Sequence, residues 1–148
     1  MTDRLELRFT LACSPAHAFR VFTEMVELWW PRSHRRLPEG EMAFEPGPDG
    51  RLVERIGSEE RTVGDVVAWQ PPGRLSFDWW LGANEHPTRV DIAFRPTEAG
   101  TAIDVVHTPG DALVDDIFAD RVARFEQGWN AVFGALSNFL KQQGSPPS

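Results

Sequence analysis

His107 is the side chain with the clearest chemical opportunity in this sequence. It closes the run "TAIDVVHT", in phase with Ile103 and Val105 and out of phase with Asp104. If the run is a strand, alternate residues share a face, and His107 points inward with the two aliphatics. An inward histidine at a strand end could hold a ligand's polar head or act as a general base, which makes it the catalytic candidate. It could also be a core histidine with its hydrogen bonds satisfied. No carboxylate is an obvious partner, since Glu45 follows Phe44 and its phase turns it outward. The remaining histidines, His17, His34 and His86, have no metal-ligand spacing.

A second cluster sits in "ELWWPRSHRR". Trp29 and Trp30 are followed by Arg32, His34, Arg35 and Arg36. Adjacent helical positions point about 100° apart, so both indoles can hardly enter one core; Trp29 is expected in the core and Trp30 at a pocket mouth. The basic residues suit an anion clamp at that mouth, because guanidinium groups meet carboxylates through two parallel hydrogen bonds. The alternative is a solvated loop. Further along, Trp79 and Trp80 must point to opposite faces of a strand. Trp79, in phase with Phe77, faces inward, and Trp80 falls on the outer face or rim, where a dimer interface could use it.

Several chemistries are excluded. Lys141 is the only lysine and stands near a polar C-terminus, so neither a phosphate loop nor a Schiff-base site is available. Cys13 is the only cysteine, which rules out an intrachain disulfide and a cysteine metal site. Tyrosine is absent, and so are His-Glu-x-x-His, Gly-x-Ser-x-Gly and Gly-x-Gly-x-x-Gly. The net charge of −7 argues against nucleic acid and anionic membrane surfaces as partners. The N-terminus "MTDRLELRFTL" reads neither as a signal peptide nor as a span, so a cytoplasmic protein is expected. Nothing implies a cofactor.

The elements that must position these residues follow from periodicity. "RLELRFTLA" places Leu5, Leu7, Phe9 and Leu11 on one face of a strand. Ser14 and Pro15 are a helix cap and first turn, and "PAHAFRVFTE" puts Ala18, Phe19, Phe22 and Met25 at helical spacing. A second short helix runs from Val26 to Trp30 and stops at Pro31. From about residue 41 to 108, short alternating runs are separated by "PGPDG", "QPPG" and "PTEAG". Leu75, Phe77 and Trp79 share a face, as do Val90, Ile92 and Phe94, with Ser76, Asp78, Asp91 and Arg95 opposite. This is an antiparallel sheet with one face wet and one covered. The cover is a long C-terminal helix carrying Phe118, Val122, Phe125, Trp129, Val132, Leu136 and Leu140 at steps of three and four. Gly128 within it costs about 1 kcal/mol relative to alanine, which a close helix–sheet approach or a slight kink would explain.

The order strand, two short helices, six strands, long helix resembles the START and polyketide-cyclase-like helix-grip superfamily (SRPBCC). Within it, the chain is similar to the group named after the activator of heat-shock-protein-ninety ATPase (the AHSA-type proteins). The resemblance is carried by "SPAHAFRVFTE" with "LWWP", "FEPGPDGRLVER", "GDVVAWQPPGRLSFDWW", "GTAIDVVHT" and "GWNAVFGALSNFL". It covers roughly residues 4 to 141. It implies an α+β helix-grip fold, in which a curved antiparallel sheet of about seven strands wraps around the C-terminal helix and leaves a cavity between them. The superfamily includes lipid carriers, cyclases, hormone receptors and co-chaperone domains, so function must be argued from the site. The eukaryotic co-chaperone carries a further N-terminal domain that this sequence lacks, which argues against a chaperone-activating role.

The expectation is one helix-grip domain over 1–148, with a core at about 4–141 and a tail at 142–148. It binds a small apolar molecule, with an anionic group allowed, between sheet and helix. The lining is Trp29, Trp30, Phe44, Phe77, Trp79, Phe94, Val105, His107, Phe118, Phe125 and Trp129, and the mouth is Arg32, His34, Arg35 and Arg36. A homodimer is a further option. The alternatives are a cyclase or dehydratase using His107, and an interaction domain that regulates a chaperone or transcription factor through an exposed apolar patch including Trp80. The reading favours binding over catalysis.

Overall fold

The computed structural model describes residues 4–35, 37, 39–79, 87–109 and 115–142, with the side chains of 115–122 outside the description. Strand β1 (Leu5–Leu11) leads into helix α1 (Pro15–Glu24) and the single turn α2 (Val26–Trp29). A 3-10 turn at Arg32–His34 follows. Strands β2 (Glu41–Phe44), β3 (Arg51–Ile56), β4 (Glu59–Gln70), β5 (Arg74–Trp79), β6 (Thr88–Thr97) and β7 (Gly100–Thr108) precede helix α3 (Asp115–Gln142). The strands form one antiparallel sheet in the order β1-β7-β6-β5-β4-β3-β2. Consecutive strands are neighbours except β1, which crosses to pair with β7.

Local chemistry sets the boundaries. The Ser14 hydroxyl accepts from the His17 amide at 3.2 Å, and Pro15 opens α1 with its φ already fixed. Gly100 turns β6 into β7 at φ +146°, with the Leu11 carbonyl 2.2 Å from where a Cβ would sit, so only glycine lets β1 pass. Register shifts between Leu52 and Val53 and between Val66 and Ala68 bend β3 and β4, the means by which a flat ladder becomes a curled one. The bend also brings Val67 to the outside, where it is exposed.

Helix α3 has 28 residues, about 42 Å at 1.5 Å per residue. Trp129, Val132, Phe133 and Leu136 are its buried stripe. The centre of the core is Phe22 of α1, fully buried, with Trp29, Trp30, Phe44, Phe94 and Phe133 around it at centroid distances of 5.2 to 6.4 Å. Phe133 also stacks on Phe9 of β1 at 4.5 Å, fixing the helix against the sheet edge. On the outer face, arginines and aspartates pair across strands: Arg8 and Arg95 on Asp104, Arg74 on Asp91, Arg89 on Asp78. The wet and covered faces are those that alternation implies, except that Ser76, expected on the wet face, is itself buried. Trp80, Arg36 and His86 lie outside the described residues.

Candidate functional site

The turn that ends α2 places the two adjacent tryptophans, and the structure corrects the expectation for them. Both are buried, Trp29 at 5% and Trp30 at 3% exposure, with ring centroids 5.5 Å apart. A 100° separation excludes one indole only from a helix that packs on one side. Here α2 is one turn long and is packed against α1, β2 and α3 together. Trp29 donates its indole N–H to the Val21 carbonyl at 2.9 Å, and Trp30 donates to the His34 carbonyl at 3.3 Å.

The basic loop is also corrected. Arg35 is not at a mouth: its side chain is 1% exposed and pairs with Glu27 at 2.8 Å. It donates further to the backbone carbonyls of Trp30, Glu27 and Gly40. Those carbonyls are left over where α2 ends and the chain turns, so the guanidinium is the cap of that turn. Arg32 reaches the same Glu27 at 3.1 Å and the Gly40 carbonyl at 3.1 Å. Glu27 in turn accepts from the Met42 amide at 2.8 Å, which ties the loop to β2.

Between α3, the end of α2 and the β5 and β7 ends lies a cavity of about 90 Å³. Trp30, Trp79, Phe125, Trp129 and Val132 form its walls. The three indoles make a near-equilateral set, with centroid distances of 6.0 Å for Trp30–Trp79, 6.1 Å for Trp30–Trp129 and 5.7 Å for Trp79–Trp129. Fully buried His107 closes one end, its ring 4.5 Å from that of Phe125. Exposed His34 and Arg124, with Gly128 between them on the helix side, mark the open end.

His107 is held by side chains of two other elements, α3 and β6. Trp129 of α3 donates its indole N–H to Nδ1 at 3.0 Å, and an indole can only donate. Nδ1 is therefore unprotonated and Nε2 carries the hydrogen, which faces the Thr88 hydroxyl of β6 at 2.7 Å. Thr88 passes its own hydrogen to the Trp79 carbonyl at 3.4 Å. The chain of donors runs from Trp129 through His107 and Thr88 to Trp79 and fixes the Nε2–H tautomer. Burial pushes the imidazole down to about 3. Protonation would also set one N–H against another at Nδ1, so His107 is neutral throughout the physiological range.

The structure brings Trp30, His34, Trp79, His107, Phe125 and Trp129 of the expected residues together around this space. It packs the others elsewhere. Trp29 and Phe44 lie on Phe22, Phe77 is fully buried against Phe44, Phe94 lies between Phe19 and Phe22, and Val105 is fully buried. The Phe118 side chain lies outside the described ones. Thr88, Arg124 and Val132 are additions. Arg124 was legible: it stands one helical turn before Gly128, on the same face. Thr88 was not, because the connection between β5 and β6 hides which residue resumes the ladder opposite Trp79. Among the described residues no group of three or more His, Cys, Asp or Glu side chains is placed to hold a metal ion, and no helix is long and apolar enough to cross a membrane.

The comparisons place this geometry among known proteins. No curated protein matches the sequence. Among solved structures, a Rhodobacter sphaeroides protein superposes with a TM-score of 0.70 at 23% identity, over 95% of this chain and 93% of its own. Protein MLL2253 from Mesorhizobium loti gives 0.69 at 17% identity, over 96% and 99%. DynU16, from the dynemicin biosynthetic locus, gives 0.71 at 16% identity over 95% of this chain, which spans 48% of DynU16. At these identities the likeness establishes the fold, the polyketide-cyclase-like helix grip. Residues 12–141 match the family described as Activator of Hsp90 ATPase homolog 1-like protein, and with that match over most of its length the chain belongs to this family.

Proposed function

We propose that this domain binds a small, largely apolar molecule in the cavity between α3 and the sheet. The observation that carries the reading is the lining. Three indoles and Phe125 surround about 90 Å³ of space that their own packing leaves unfilled. Protein interiors otherwise pack as densely as organic crystals, so unfilled space walled by large rings is an unusual expense. The volume equals about three waters' share of liquid, at roughly 30 Å³ each, and a cavity of about 150 Å³ takes benzene. It therefore suits the leading edge of one ring or a short chain, not a long acyl chain or a polycycle. The hydrogen bond from Trp129 occupies the basic lone pair of His107, which supports binding over proton abstraction at this residue.

Intrinsic tryptophan fluorescence, titrated with a panel of small aromatic and short-chain molecules, tests the reading, because three of the walls are the reporters. A saturable change with at least one small ring compound, and none with long-chain fatty acids, is expected. A flat response across the whole panel would overturn it.

A further inference from the structure

Among the described residues most arginines are engaged with carboxylates; Arg20, which lies beside His17, and Arg61 are exceptions away from the cavity. Arg8 and Arg95 hold Asp104, Arg35 holds Glu27, Arg51 and Arg55 hold Glu45 and Glu60, and Arg74 and Arg89 hold Asp91 and Asp78. Arg124 differs. It is exposed, it lies against the open end of the cavity, and it has no ion-pair partner among the described residues. Among the described residues no carboxylate lines the cavity. At the closed end both nitrogens of His107 are engaged, by Trp129 and Thr88. A ligand's polar head therefore has no reason to go inward; its place is at the mouth.

We infer that Arg124 anchors the carboxylate of a small acid whose flat apolar body enters between Trp30, Trp79 and Trp129. The inference rests on the binding reading above and names the ligand class. Arg124 stands one turn before Gly128 on α3, and the missing side chain at 128 leaves the mouth clear beneath the guanidinium. A guanidinium meets a carboxylate through two parallel hydrogen bonds. A monoanion matches the one arginine that lines the cavity among the described residues, whereas a phosphate dianion would keep one unmatched charge beside a chain of net charge −7. The anchor lies on the terminal helix and not in the loop at 32–36, whose Arg32 and Arg35 are taken by Glu27.

Calorimetric titration with phenylacetate and its neutral isostere phenylacetamide, on the wild type and on Arg124→Gln, tests this. Arg124 is exposed, so the variant folds; matching thermal melts verify it. The wild type is expected to prefer phenylacetate by about tenfold, the low end for a charge-assisted contact that water can reach. Arg124→Gln should erase that preference and leave the amide's affinity unchanged. Equal binding of acid and amide by the wild type would overturn the anchor while leaving the cavity reading intact. So would equal loss of both probes in the variant. Binding of neither probe by the wild type would sink the cavity reading, and the anchor with it.

Discussion

Acidification from about pH 7.5 to about pH 5 should cost the native state about 2 kcal/mol through His107 alone. An imidazole in the unfolded chain titrates near 6.5, while burial holds it at about 3 in the fold. Between those values the unfolded chain binds a proton that the native state refuses. The neutral form's stabilisation is thus complete above about 6.5, falls as pH drops through the window, and levels off near 3. About pH 5 lies roughly 1.5 pH units below the unfolded value, and each unit is worth about 1.36 kcal/mol, which gives the 2 kcal/mol. The figure holds for any folded value below about 4. Carboxylates push the same way but later. Hydrogen bonds from Arg51, Arg55 and Arg95 lower Glu45, Glu60 and Asp104 below their ordinary 4.5, 4.5 and 3.8, so their contributions fade mainly below pH 5. Urea midpoints measured at the two pH values, for the wild type and for His107→Gln, provide the assay. The wild type should lose about 2 kcal/mol, and the variant, less stable at about pH 7.5, should lose much less. Identical pH dependence in both proteins would refute the argument that His107 is buried neutral.

Three further outcomes follow from the same contacts. Trp129→Phe keeps a ring in the wall but removes the donor to Nδ1; it should cost about 1–2 kcal/mol and raise the His107 titration, read by imidazole proton shifts against pH. Arg35→Ala leaves the carbonyls of Trp30, Glu27 and Gly40 without their cap and Glu27 without its buried partner. A loss of about 3 kcal/mol is expected in a denaturant melt, and a loss below about 0.5 would show that the loop is solvated after all. Gly128→Ala should stabilise α3 by up to about 1 kcal/mol, because the new Cβ meets only the His34 ring, at 3.9 Å. The same substitution narrows the mouth, so stability should rise as small-ring affinity falls.

The fold was legible because alternation and helical stepping are direct consequences of one-sided burial. The inward set Leu75, Phe77, Val90, Ile92, Ile103 and Val105 is buried as its phase requires. Phase names a face but not a depth along it, so Phe44, Phe77, Phe94 and Val105 were read as pocket lining when they pack in the interior. The deciding residue is Phe22, whose ring fills the middle of the concave side and gathers five others. Periodicity does not report how far one ring reaches. Nor could the sequence assign Arg35, since the carbonyls it caps exist only once α2 has ended and the chain has turned. Phe133, buried at 1%, was passed over because it sits beside Val132 on a stripe wider than single steps of three and four suggest.

The central claim is that Trp30, Trp79 and Trp129 surround a space that a small molecule enters. Indole N–H resonances, assigned through Trp→Phe variants and followed as phenylacetate is added, measure that directly. The account predicts saturable shifts for Trp30, Trp79 and Trp129 with one common midpoint, and none for Trp69, which packs on Phe19 away from the cavity. Unmoved resonances for all three, or shifts that reach Trp69 equally, would contradict it.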